Sequence, residues 1–159
     1  VAKTERGYRQ GVGVVLLNAE NRVFVAQRID TQEPAWQMPQ GGLDKGEDPY
    51  TAALRELEEE TGTNKATLIA ETEDWLRYDL PDDLQTKMWK GKYRGQEQKW
   101  YLMRFTGTDA DINIETEHPE FSKWKWAEFT TLPDMIIGFK KELYRQIVEA
   151  FEHQVDAAD

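Results

Sequence analysis

The chain of 159 residues has no cysteine, only two histidines and no long apolar run. Without cysteine there is no disulfide framework, no thiolate nucleophile and no cysteine-held zinc or iron–sulfur centre. His118 and His153 alone do not make a histidine-rich zinc site. A metal bound here must be met mostly by oxygen, which favours Mg2+, Mn2+ or Ca2+. No stretch approaches the ~20 apolar residues of a membrane span. Val1 to Arg6 carry no leader-like apolar core. These absences read as a cytoplasmic protein with no membrane partner.

Positive charge is scarce as well, with 30 Asp and Glu against 20 Lys and Arg and a formal charge of −10. That balance argues against tracking along duplex DNA, an interaction driven by excess cations. It still admits a phosphorylated substrate that arrives with metal ions. One stretch runs against the trend: Lys87, Lys90, Lys92, Arg94 and Lys99 stand near Glu97 alone. On charge alone this stretch is a solvated loop.

Repeats, low-complexity segments and Pro- or Ser-rich linkers are also missing. The expectation is a single domain over 1–159 with a short acidic tail from about residue 153. A ~150-residue domain buries roughly 68–70% of its unfolded surface, so no staple is required. Val12 to Leu17 and Arg22 to Arg28 are β-rich runs joined by turn-like Asn18-Ala19-Glu20-Asn21, and Trp36 to Met38 reads as a short strand. Further strands are expected over Thr67 to Leu80, Lys99 to Thr106 and Trp124 to Phe129, and a helix over Lys140 to His153. Asp48-Pro49 suits a cap followed by proline in the first helical position, with the helix running to Thr61 and stopped by Gly62. Strands interleaved with two well-separated helices predict an α/β/α sandwich around a mixed sheet.

On the helix capped by Asp48, Glu56, Glu59 and Glu60 fall within a ~100° arc, because i, i+3 and i+4 are helical neighbours. Tyr50, Ala53, Leu54, Leu57 and Thr61 form the core-facing arc. Clustered glutamates repel one another and weaken their own helix unless cations compensate. Ala52 falls among the carboxylates, where a small side chain leaves room for ions. An acidic surface helix looks the same in isolation, so the surroundings of the cluster matter.

Residues 41–63, GGLDKGEDPYTAALRELEEETGT, resemble the box of the Nudix hydrolase family, G-x5-E-x7-R-E-U-x-E-E-x-G-U. Gly41, Glu47, Arg55, Glu56, Leu57, Glu59, Glu60 and Gly62 match, and Thr63 departs from the bulky aliphatic at the last position. The resemblance implies a hydrolase of phosphoric anhydrides using Mg2+ or Mn2+. Glu56, Glu59 and Glu60 correspond to metal ligands, with Gly41 beside them; Arg55 corresponds to the residue that orients the glutamates and Glu47 to a loop support.

Likeness continues through Trp36-Gln37-Met38-Pro39-Gln40-Gly41-Gly42, Trp75 to Pro81, Gly95 to Trp100 and Phe139-Lys140. These segments are similar to the branch holding bacterial RNA pyrophosphohydrolases and diadenosine polyphosphate hydrolases. In that branch Glu120 corresponds to a further metal ligand or catalytic carboxylate. Arg28, Tyr78 and Lys140 correspond to phosphate contacts, and Phe139 to a base-stacking position. Gln10-Gly11 after Arg9 differs from many relatives, which leaves the role of the N-terminal segment open. Trp124 and Trp126, at strand spacing, are expected to pack the sheet rather than cage a base.

The expected function is metal-dependent removal of pyrophosphate from triphosphorylated RNA 5′ ends, by a monomer or an oligomer with the monomer favoured, with the basic segment at Lys87–Lys99 receiving the RNA. The alternatives are asymmetric hydrolysis of diadenosine tetraphosphate to ATP and AMP, and a non-catalytic nucleotide-binding module. The module would be expected to lack some of the glutamates present here.

Overall fold

The computed structural model describes residues 6–31 and 34–157. A mixed sheet is built on β1 (Gly7–Leu17), β2 (Arg22–Arg28), β3 (Gln40–Gly42), β4 (Ala66–Glu71), β5 (Leu76–Asp79), β6 (Tyr93–Phe105) and β7 (Phe121–Glu128). Its order is β4-β6-β1-β2-β7, with β3 added to β1 and β5 to β6. The β1 and β6 strands run parallel along nearly their whole length, and the other pairs are antiparallel. Helix α1 (Pro49–Thr61) covers one face; α4 (Lys141–Ala157) covers the other, with short α2 (Asp82–Gln85) and α3 (Leu132–Met135) among the loops.

The run Val14-Val15-Leu16-Leu17 does not alternate with polar residues because both faces of β1 are covered. Val14 and Leu16 enter a cluster with Ala53 and Leu57 of α1; Val15 and Leu17 enter a second cluster with Leu143, Ile147 and Phe151 of α4. The expected α/β/α sandwich is thus formed. Trp124 stacks on Phe24 with centroids 5.5 Å apart and meets Trp126 edge-on at 5.7 Å, so both tryptophans pack the sheet.

Several element boundaries differ from the sequence expectation. Residues 36–38 are not a strand: only Gln37 bridges to Ala26, and the strand here is β3. The run 67–80 breaks into β4 and β5, since Thr72 turns inward and its hydroxyl accepts from the Trp100 N–H. The β6 strand starts at Tyr93, six residues before Lys99, so half of the basic segment is strand: Arg94 pairs with Asp79 at 2.8 Å and Lys99 donates to the Thr72 carbonyl. The β7 strand begins at Phe121 and stops at Glu128 rather than spanning 124–129. Helix α4 begins at Lys141, after a 3-10 turn over Gly138–Lys140, and continues to Ala157 through most of the expected tail because Val155 is buried.

Candidate active site

The first turn of α1 is capped as expected: Asp48 Oδ2 accepts from the Thr51 N–H at 3.1 Å, and Pro49 takes the position where a missing N–H costs nothing. At the far end Gly62 has φ 75°, a left-handed conformation in which a Cβ is strained, and its N–H returns to the Glu58 carbonyl. Thr63 is buried where an aliphatic residue was expected, and its hydroxyl accepts from the Lys65 N–H. The departure from the box is satisfied locally.

Arg55 ties the helix to the preceding loop. Its Nε and Nη2 donate to the two Glu47 oxygens at 2.9 Å, Nη2 reaches the Gly42 carbonyl at 3.1 Å, and Nη1 reaches Glu56 at 2.9 Å and Glu59 at 3.3 Å. The guanidinium holds Glu47 below the usual carboxylate range. A Cβ on Gly41 would overlap the Glu56 carboxyl group, so any larger residue here would displace that carboxyl from its place beside Arg55.

The three helix glutamates share one side but differ in environment. Glu59 is exposed, Glu56 is nearly enclosed, and Glu60 is 4% exposed with one oxygen accepting from the Gln40 N–H. Burial pushes the Glu56 carboxyl up to about 7, with Arg55 opposing and Glu59 and Glu120 adding to the rise. Glu60 is raised well above the ordinary carboxylate value by burial and by Glu120, whose carboxyl faces it. Ala52 opens no space for ions: it is fully buried in the apolar cluster beneath α1. Among the described residues no three acidic or histidine side chains converge on one point, because Arg55 draws Glu56 and Glu59 to itself.

The donor set fits a hard divalent cation: every donor is oxygen, and the environments of Glu56 and Glu60 raise both carboxyls, a shift that a bound cation would oppose. Stability of the metal-free protein is expected to carry this signature. A folded-state value raised from 4.5 to about 7 stabilises below 4.5, and that contribution is lost as pH rises to 7. Thermal melts in chelator should show a loss on the order of 2–3 kcal/mol across that window, with Glu60 acting in the same direction. A flat or rising profile would contradict it.

Beside the carboxylates lies a cleft of about 370 Å³ lined by Arg9, Arg28, Gln40, Tyr78, Trp89, Phe139 and Lys140. The Tyr78 and Phe139 rings are 6.1 Å apart, and the Lys140 ammonium lies 5.8 Å from the Tyr78 ring centroid. Lys140 makes no ion pair among the described residues, and burial together with the Arg28 charge lowers it to about 8. Arg28 is not a free cation: its Nε and Nη2 grip Asp30 at 2.8 and 2.7 Å, and Nη1 stands 3.9 Å from Glu120. Gln40 joins the two regions, its backbone on Glu60 and its side chain accepting from Gln98 at 2.9 Å. The line continues from Gln98 to Gln96 and from Gln96 to the Tyr78 hydroxyl.

The sequence-predicted residues Glu56, Glu59, Glu60, Glu120, Arg55 and Gly41 thus meet at one end, and Arg28, Tyr78, Phe139 and Lys140 at the other. Sequence reasoning missed Arg9, Gln40, Gln96 and Trp89. Gln96 and Gln98, at period two within a strand, were the available signal of a buried polar line. Trp89 had none: it and Lys90 adopt left-handed φ of 49° and 59°, and Arg9 packs 5.2 Å from the Trp89 ring.

Carboxylates beside a cationic, aromatic-walled cleft are a set of side chains that suits a hydrolase of phosphoric anhydrides. The NUDIX domain family matches residues 7–147, and the chain belongs to that family. It is 61% identical over 147 residues to an RNA pyrophosphohydrolase of Roseobacter denitrificans, covering 91% of this chain and 92% of that one. It is 57% identical over 141 residues to an RNA pyrophosphohydrolase of Rhodospirillum rubrum, covering 89% and 85%. Among solved structures, a C. elegans Ap4A hydrolase matches with a TM-score of 0.64 at 22% identity, covering 91% of this chain and 98% of that one. An E. coli dihydroneopterin triphosphate pyrophosphohydrolase matches with 0.66 at 20%, covering 90% and 98%. These two likenesses show the fold.

Proposed function

We propose that this protein removes pyrophosphate from the 5′ end of triphosphorylated RNA, leaving a 5′-monophosphate. The observation that carries the reading is the junction at Gln40 and Arg28, two walls of a cleft that also holds Arg9, Lys140 and the Phe139 ring: the Gln40 N–H donates to Glu60, and Arg28 stands 3.9 Å from Glu120. The high identity to relatives named RNA pyrophosphohydrolase supports the choice of substrate.

In this reading Glu56, Glu59, Glu60 and Glu120, with Gly41 beside them, would hold Mg2+ or Mn2+. The chemistry such ions would supply there is polarisation of phosphoryl oxygens, a lower pKa for the attacking water and compensation of charge on the leaving pyrophosphate. Arg55 is a positioning residue that fixes Glu56 and the 42–47 loop. Arg9 and Lys140 neutralise the triphosphate, the Tyr78 hydroxyl contacts it, and Phe139 offers a face to a base. Arg28, its charge shared with Asp30 and Glu120, orients the substrate at the cleft wall. The enzyme works as a monomeric domain in the cytoplasm.

Incubation of a triphosphorylated RNA oligomer with Mg2+ should release pyrophosphate and leave monophosphorylated RNA, and chelator should stop it. Release of nothing, or of a mononucleotide, would overturn the reading. Lys140 adds a pH test. Its charge is present below about 8 and lost above, so kcat/KM is expected to fall on the alkaline side of 8. K140R, whose guanidinium stays charged, should move that limb up by about one unit or more. An unmoved limb would remove Lys140 from the triphosphate.

A further inference from the structure

On an acidic protein, a small basic surface stands apart from both the active site and the Lys87–Lys99 segment. Lys123 and Lys125 are exposed, two residues apart on the edge strand β7, and neither has a carboxylate partner among the described residues. Both ammonium groups gather over one ring, that of Trp36, at 5.6 and 4.2 Å from its centroid. Trp36 is held in turn by its N–H, which donates to the Met135 carbonyl at 2.6 Å.

The patch lies on the same face of the sheet as the cleft. In the β2–β7 register Lys125 sits opposite Val25 and Lys123 opposite Gln27, and Val25 belongs to the cluster on the α4 face, together with Tyr78 and the partly buried Phe139. Ala35 and Gln37, the neighbours of Trp36, line a second cavity of about 470 Å³ whose walls include Arg28 and Ile137, both also walls of the substrate cleft. The second cavity thus borders the substrate cleft at Arg28 and Ile137 and reaches the residues on either side of Trp36, over whose ring the two lysines gather.

We propose that Lys123, Lys125 and Trp36 form an exit track for single-stranded RNA, contacting phosphates downstream of the nucleotides held in the cleft. The proposal rests on the RNA reading above and adds to it a length dependence. Two residues along a strand place the lysines roughly 6.5 Å apart, on the scale of successive phosphates in a single strand. Each cation neutralising a phosphate releases counterions, so the track gives affinity that weakens with salt. A dinucleoside polyphosphate is too short to use it. Lysines that only protect a sheet edge from pairing would carry no such substrate dependence.

The test compares wild type with K123Q/K125Q on a triphosphorylated dinucleotide and on a triphosphorylated RNA of roughly 12 nucleotides. For the longer RNA, KM should rise about tenfold at 0.1 M salt, with kcat kept, and the slope of log(kcat/KM) against log salt should shrink by about 1.4, about 0.7 per cation. The dinucleotide should be turned over as by wild type. R145Q, an exposed cation on α4 paired with Glu142, should leave the long-RNA slope unchanged. If K123Q/K125Q changes neither KM nor slope for the long RNA, or if R145Q changes them as much, the track is overturned while the RNA reading stands. No turnover of either RNA by wild type would overturn both.

Discussion

E60Q is expected to lose turnover by roughly 10³-fold and yet to be more stable than wild type in the absence of metal at pH 8. Glu60 is 4% exposed and faces Glu120, and burial together with Glu120 disfavours its charged form. An amide of the same shape keeps the acceptor for the Gln40 N–H and offers an NH2 to Glu120, so both neighbours stay satisfied and the cost of ionising a buried acid is removed. Thermal melts with chelator and with Mn2+ separate the outcomes: wild type gains stability from Mn2+, and E60Q starts higher and gains little. A variant less stable than wild type under both conditions, with activity kept, would make Glu60 a packing residue.

R55K is expected to cost about 2 kcal/mol and lower kcat by roughly 100-fold with KM little changed. The guanidinium reaches Glu47 through two bonds, Gly42 through a third and Glu56 through a fourth. A single ammonium keeps the charge but not the fork, so the loop over 42–47 and the Glu56 carboxyl lose their common anchor. Denaturant unfolding and steady-state kinetics on the same preparation test it. A rise in KM without loss of kcat would place Arg55 on the substrate.

What was legible in the sequence follows from how local the causes are. The α1 helix was readable end to end because its cap, its first proline and its terminating glycine are neighbours in the chain, and the glutamate face follows from helical spacing. The strand runs near 14–17 and 22–28 were readable from their composition. By contrast, the break between β4 and β5 depends on Thr72 meeting Trp100 across the sheet. The fate of Ala52 was misjudged because helical spacing shows which residues share a side and not where the sheet cuts across it. Arg28 looked like a free phosphate contact, and only the turn after β2 places Asp30 against it. Arg9 and Trp89 meet across 80 residues of chain, beyond any local pattern.

Competition gives the most direct measurement of the central claim. Equal concentrations of a triphosphorylated RNA oligomer and diadenosine tetraphosphate are given to the enzyme with Mg2+ in one reaction, and all products are resolved over time. Early pyrophosphate and monophosphorylated RNA, with diadenosine tetraphosphate largely intact, is the expected result. Preferential ATP plus AMP would contradict it and make the cleft that of a dinucleoside polyphosphate hydrolase.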